Sequence, residues 1–93
     1  MRLLTFRTHP LRRMFERRIS VAEVRAALAA GRTIMSYMDD KPYPTRLVLG
    51  YSGGRALHIV VADNPADQEL IVVTVYEPDA DRWDSNLTRR KRP

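Results

Sequence analysis

Ninety-three residues are enough for one small domain with one core and leave little room for a second module. A chain that is 44% hydrophobic and 29% charged is globular rather than disordered, and the absence of cysteine excludes a disulfide framework, a thiolate metal site and a thiolate nucleophile. The net charge of +5 hides an asymmetry: residues 1–35 carry eight Lys/Arg against two acids, residues 36–88 four against nine, and the last five residues add four cations. Basic ends around an acidic middle fit an anionic partner, RNA or DNA first. The plainer reading is that arginines on small helices and at chain ends only solubilise.

In chain order, Arg2–Arg7 alternates loosely, as a short edge strand or an extended lead-in over residues 1–8 would. His9-Pro10 marks a helix start, because proline is tolerated in a first helical turn. The helical period over residues 10–18 places Leu11, Met14 and Phe15 on one side, and His9, Arg12, Arg13 and Glu16 on the other. His9/Arg13 and Arg12/Glu16 are spaced to touch as i,i+4 pairs. Ser20-Val21-Ala22-Glu23 is a capping box, opening a second helix to about Ala30 that stops at Gly31. Its small residues permit close approach to a neighbouring element.

Thr33–Met38 and Arg46–Tyr51 read as strands separated by the turn-rich loop Asp39–Thr45, and Ser52-Gly53-Gly54 as a tight hairpin. Ala56–Ala62 and Leu70–Tyr76 are β-branched runs flanking a polar loop, the pattern of a second hairpin. Pairing Ala62 with Leu70 sets 57/75, 59/73 and 61/71 on one apolar face and puts His58 across from Thr74 on a mixed face, with Tyr76 one step along. Trp83 anchors the C-terminal segment on the sheet, and residues 86–93 form a basic, mobile tail. The expected fold is α+β in a single domain over 1–93: two N-terminal helices packed on a four-stranded antiparallel sheet.

The candidate chemistry lies in two histidines. His58 sits mid-strand, where a packed, hydrogen-bonded imidazole competes with a general acid or base in a partly covered cleft; Tyr76 is its polar neighbour and can donate to a phosphate. His9 sits at a helix N-terminus, which attracts anions, with Arg12 and Arg13 one turn further on. The acids lie in separate loops without calcium spacing, and no zinc, Gly-rich phosphate-loop or serine-nucleophile motif is present, so no metal or cofactor is expected.

His9-Pro-Leu-Arg12-Arg13-Met14-Phe-Glu16-Arg17-Arg-Ile19-Ser20, followed by Leu57-His58-Ile59-Val60-Val61, Thr74-Val-Tyr76-Glu-Pro78-Asp79 and Trp83, resembles the bacterial family catalogued as domain of unknown function 4258. That family has H-A-x-x-R-M-x-E-R-G-I-S near its start, so Pro10 replaces an alanine and Arg18 a glycine. The family looks like part of the wider RelE/barnase-like group of small α+β ribonuclease toxins. The resemblance implies a type II toxin-like protein that binds or cuts RNA and pairs with a small antitoxin protein. His9, Arg12 or Arg13, Glu16, His58 and Tyr76 stand at the matching positions.

Together these readings predict a cytoplasmic, metal-independent endoribonuclease of the toxin type without a cofactor. Its catalytic residues are His58, His9 and Tyr76, with Arg12, Arg13, Glu16, Arg17, Arg89 and Arg90 binding RNA. The alternative is a non-catalytic module that binds RNA, DNA or a partner on the same basic surface. A homodimer joined at a strand edge is a third arrangement, and no membrane contact is expected.

Overall fold

The computed structural model describes residues 3–91, so Met1, Arg2, Arg92 and Pro93, including the ends of the lead-in and the basic tail, lie outside it. The elements are β1 (Leu3–Phe6), α1 (Thr8–Glu16), α2 (Val21–Ala29), β2 (Arg32–Tyr37), β3 (Thr45–Ser52), β4 (Arg55–Asn64) and β5 (Glu69–Tyr76). The α+β class holds, but the sheet has five strands and is mixed, in the order β1-β5-β4-β3-β2. This corrects the expectation of four antiparallel strands. The lead-in is itself a strand, running parallel to β5 with Leu3 opposite Glu69 and Phe6 opposite Val72. Leu4 and Phe6 pack against the core, and the backbone between them occupies the edge that β5 would otherwise expose.

Local chemistry sets both helix ends. Ser20 and Glu23 exchange the two capping-box bonds, Glu23 N–H to Ser20 Oγ at 3.1 Å and Ser20 N–H to the Glu23 carboxylate at 3.0 Å. α1 closes in a Schellman arrangement: Ile19 N–H reaches Met14 O at 2.8 Å and Arg18 N–H reaches Phe15 O at 3.2 Å. Arg18 therefore takes the left-handed conformation, φ 56°. It stands where the family pattern has glycine. The turn delivers Ile19 into the core beside Met14.

α1 turns less of itself inward than its period predicts. Pro10 and Met14 form the buried stripe, while Leu11 is 41% and Phe15 86% exposed. A nine-residue helix seated on β5 through one i,i+4 stripe leaves the adjoining apolar row outside. α2 sits closer to the sheet. A Cβ on Gly50 of β3 would come within 2.2 Å of Ala27 O, so the glycine is what lets the helix backbone touch the strand.

The central hairpin also departs from its expected register. β4 runs to Asn64 and β5 starts at Glu69, so these two residues pair, and a bulge at Val73 then adds one residue to β5. His58 consequently faces Tyr76 instead of Thr74, and Val61 faces Val72 instead of Ile71. Leu57, Ile59, Val61, Val72 and Val75 build the core under the helices with Val24, Ala27 and Val48. Ile71 moves to the opposite face with its partner Ala62, beside the half-exposed Val73.

Arg55 ties the two layers together. Its guanidinium donates to Arg17 O, Arg18 O, the Glu23 carboxylate at 2.9 Å and the Glu77 carboxylate. These bonds raise its own pKa, through Glu77 first, and the Glu23 carboxyl is lowered by its bonds to the Ser20 backbone and Arg55.

Candidate functional site

The sheet face away from the helices carries the candidate site, because alternation along β4 points His58, Val60 and Ala62 to that side. The two ends of this face differ. One is closed by the chain's own C-terminal segment and the other is open.

At the closed end, residues 79–91 fold back over the sheet as a strap. Trp83 and Arg90 form a short bridge, Asp84 N–H binds Arg89 O at 2.9 Å, and Lys91 N–H binds Arg82 O at 2.8 Å. The Asp84 carboxylate accepts from Thr88 N–H at 3.0 Å, and such backbone donors hold its pKa below the usual carboxylate value. Trp83 lies edge-on to His58 with ring centroids 4.3 Å apart, and His58 is fully buried.

His58 Nε2 is 2.7 Å from Leu87 O and Nδ1 is 3.3 Å from the Tyr76 hydroxyl. A carbonyl only accepts, so Nε2 carries the proton. The neutral ring then accepts from Tyr76 O–H at Nδ1. Desolvation lowers the His58 pKa, partly opposed by the Leu87 bond, and burial raises that of Tyr76. In this arrangement the imidazole has both nitrogens occupied and no path to solvent.

At the open end, the β1–α1 junction overhangs the sheet and encloses a cleft of about 440 Å³. Arg7, His9 and Pro10 form one wall; Lys41, Pro42 and Tyr43, with Asp40 and Thr45 beside them, form the other; Ala62, Ile71 and Val73 are the floor. The Lys41-Pro42 peptide is cis, and Thr45 Oγ1 donates to Asp40 at 2.5 Å, fixing the base of that loop. Arg7 is the N-cap of α1 and its side chain makes no cap bond; the first turn carries no acid. The positive end of the helix therefore adds to Arg7 and Lys41 around the exposed His9. An apolar floor ringed by cations, an imidazole and a phenol, with the lining carboxylate of Asp40 bound to Thr45, suits a planar anionic ligand.

His9 and His58 are not brought together. Ala62, in the floor of the His9 cleft, lies four residues along β4 from His58, about 13 Å at strand spacing. Arg12, Arg13 and Glu16 stand exposed on α1 outside the cleft wall, with Arg13 and Glu16 4.0 Å apart as an i,i+3 pair. That is the contact made in place of the expected Arg12–Glu16 pair. Arg17 donates to Val75 O at 2.6 Å, an anchor of helix to sheet. Arg89 borders a shallow depression beside β2, and Arg90 lies over Trp83 at 5.6 Å from the ring centroid.

Arg7, Lys41 and Tyr43 line the cleft although no motif in the sequence singles them out. The signal was a cation and an aromatic that alternate with two prolines in a long connection, where binding groups concentrate. Among the described residues no group of three His, Asp or Glu side chains is placed to hold a metal ion, and no helix is long and apolar enough to cross a membrane.

The family described as "Domain of unknown function (DUF4258)" matches residues 6–77. The chain belongs to the DUF4258 family. The match takes in α1, α2 and β2–β5, and with them His9, Arg13, His58 and Tyr76. The strap that seals His58 lies beyond it, including Trp83. No curated protein and no solved structure matches the chain.

Proposed function

We propose that this DUF4258 protein binds single-stranded RNA across the open half of its sheet and cleaves it without a metal ion, as a toxin-type endoribonuclease. The observation that carries the reading is the cleft at His9, where an exposed imidazole shares an apolar floor with Arg7 and Lys41. A base resting on Ala62, Ile71 and Val73 puts its phosphate near Arg7, Lys41 and the start of α1. His9 is then the general base that takes the proton from the ribose 2′-hydroxyl. The 2′-oxygen attacks phosphorus, the bond to the 5′-oxygen breaks, and an acid, Tyr43 or water, protonates the leaving group. The products are a 2′,3′-cyclic phosphate and a 5′-hydroxyl. RNA beyond the cleft follows the exposed side of α1, past Arg12 and Arg13.

In this reading His58 and Tyr76 keep the sheet face in shape while the strap is closed. The resemblance drawn from the sequence between this family and RelE/barnase-like ribonuclease toxins is the ground for extending the reading to a type II toxin–antitoxin pair with a small protein partner. A second reading, a binding module without chemistry, is favoured by the sealing of His58, which leaves His9 as the accessible imidazole.

The test is incubation of RNA with the full chain in the presence of a chelator, followed by analysis of the new ends. Cyclic phosphate ends that disappear in His9→Ala support cleavage at this cleft. A gel shift with intact RNA supports the binding module instead.

A further inference from the structure

A second cleft, of about 320 Å³, opens beside the strap on the same sheet face. Its floor is Met35, Leu47 and Val60, and its walls are Tyr37 from the end of β2 and Tyr76 with Trp83 opposite. Arg90 stands at its rim, over the Trp83 ring and close enough to Tyr76 for its charge to act on that hydroxyl. No carboxylate pairs with Arg90 among the described residues, although Arg13, Arg46, Arg55 and Arg82 all have one. No acid lines the cleft. Tyr76 donates its proton to His58, which leaves its lone pairs as acceptors for an incoming N–H.

We propose that this cleft is a nucleotide subsite, taking the base against Tyr37 and the Met35–Leu47–Val60 floor, with the Tyr76 oxygen accepting from a base N–H and Arg90 binding the phosphate. A flat apolar slot with one directed acceptor and one unpaired cation matches a nucleoside monophosphate better than an apolar or a cationic ligand. Two of its residues, Trp83 and Arg90, come from the strap, beyond the residues that the DUF4258 match covers. The same chemistry is offered by a free nucleotide and by one unit of an RNA chain. The subsite does not depend on cleavage at His9.

Trp83 is the single tryptophan and so reports on the cleft directly. The experiment titrates its fluorescence in the full chain with adenosine monophosphate, adenosine, ribose 5-phosphate and oligoadenylate. The subsite predicts a saturable change with adenosine monophosphate, about tenfold weaker binding of adenosine, and none of ribose 5-phosphate. Arg90→Ala brings adenosine monophosphate down to the adenosine level, Tyr37→Ala weakens both, and His9→Ala alters neither, whether or not RNA is cut. Tighter saturation by oligoadenylate assigns the subsite to RNA, and tighter saturation by the monophosphate to a free nucleotide. Absence of any saturable change, or a change that survives both Arg90→Ala and Tyr37→Ala, overturns the proposal.

Discussion

Trp83 meets His58 edge-on, with ring centroids 4.3 Å apart and ring planes at 87°. That contact makes a core residue of an imidazole that would otherwise lie on the open face of β4. It also divides the face in two, one half under the strap and the other under the β1–α1 junction. Accessible chemistry is left at His9.

Burial gives His58 a measurable pH signature. Its folded pKa is depressed below the ordinary 6.5, so the unfolded chain binds a proton that the folded chain refuses. The stability contribution is complete above 6.5 and is lost as the pH falls from there through the folded value. Urea midpoints of the wild type should decline over that window. His58→Gln, which does not titrate, should show a flatter profile there.

Arg18 supplies a stabilising substitution. Its φ of 56° costs an L-residue about 1 kcal/mol or more that glycine does not incur. Its backbone oxygen, which accepts from Arg55, is kept in Arg18→Gly. The variant should gain about 1 kcal/mol in urea unfolding, and Arg18→Val should lose stability.

Gly50 supplies the opposite case. A Cβ there meets Ala27 O at 2.2 Å and Ala27 Cβ at 2.9 Å, which forces α2 away from β3. Gly50→Ala should cost about 3 kcal/mol, at the upper end of overpacking effects, and show as a lowered thermal midpoint. Gly54, with nothing within 4 Å of its would-be Cβ, is the control and should tolerate alanine far better.

Arg7 and Lys41 should be read from salt dependence. Each phosphate contact to single-stranded RNA contributes about 0.7 to the slope of log affinity against log salt. Arg7→Ala and Lys41→Ala should each reduce the slope by about that amount, measured by anisotropy of a labelled oligonucleotide. An unchanged slope in both variants would remove the RNA from this cleft.

Much of the fold was legible because its signals are local. Ser20 and Glu23 name a helix start by themselves, and the tight hairpin expected at Ser52-Gly53-Gly54 is there, with Ser52 already paired to Arg55 and Gly53 at φ 60°. The fifth strand was less so. Leu3–Phe6 is too short for its alternation to declare which edge it joins, and its partner lies more than sixty residues away. The hairpin register failed for a related reason: the loop sets Ala62 against Ile71 and not Leu70, and nothing in Leu70–Tyr76 marks Val73 as the bulge that adds the second residue of the shift from Thr74 to Tyr76. At the candidate site, both histidines could be picked out, but their environments could not. His58 is sealed by Trp83 and Leu87, twenty-five and more residues further along, whereas His9 gains Lys41 and Tyr43 from a loop that reads only as a turn.

The most direct measurement is the single-turnover rate of RNA cleavage by wild type and His9→Ala in chelator, scored by the cyclic phosphate end. If His9 is the general base in the Arg7–Lys41 cleft, the wild type cuts and the variant is slower by about 10²–10⁴-fold while remaining folded. Equal rates in the two proteins, or RNA left intact by the wild type, would contradict it.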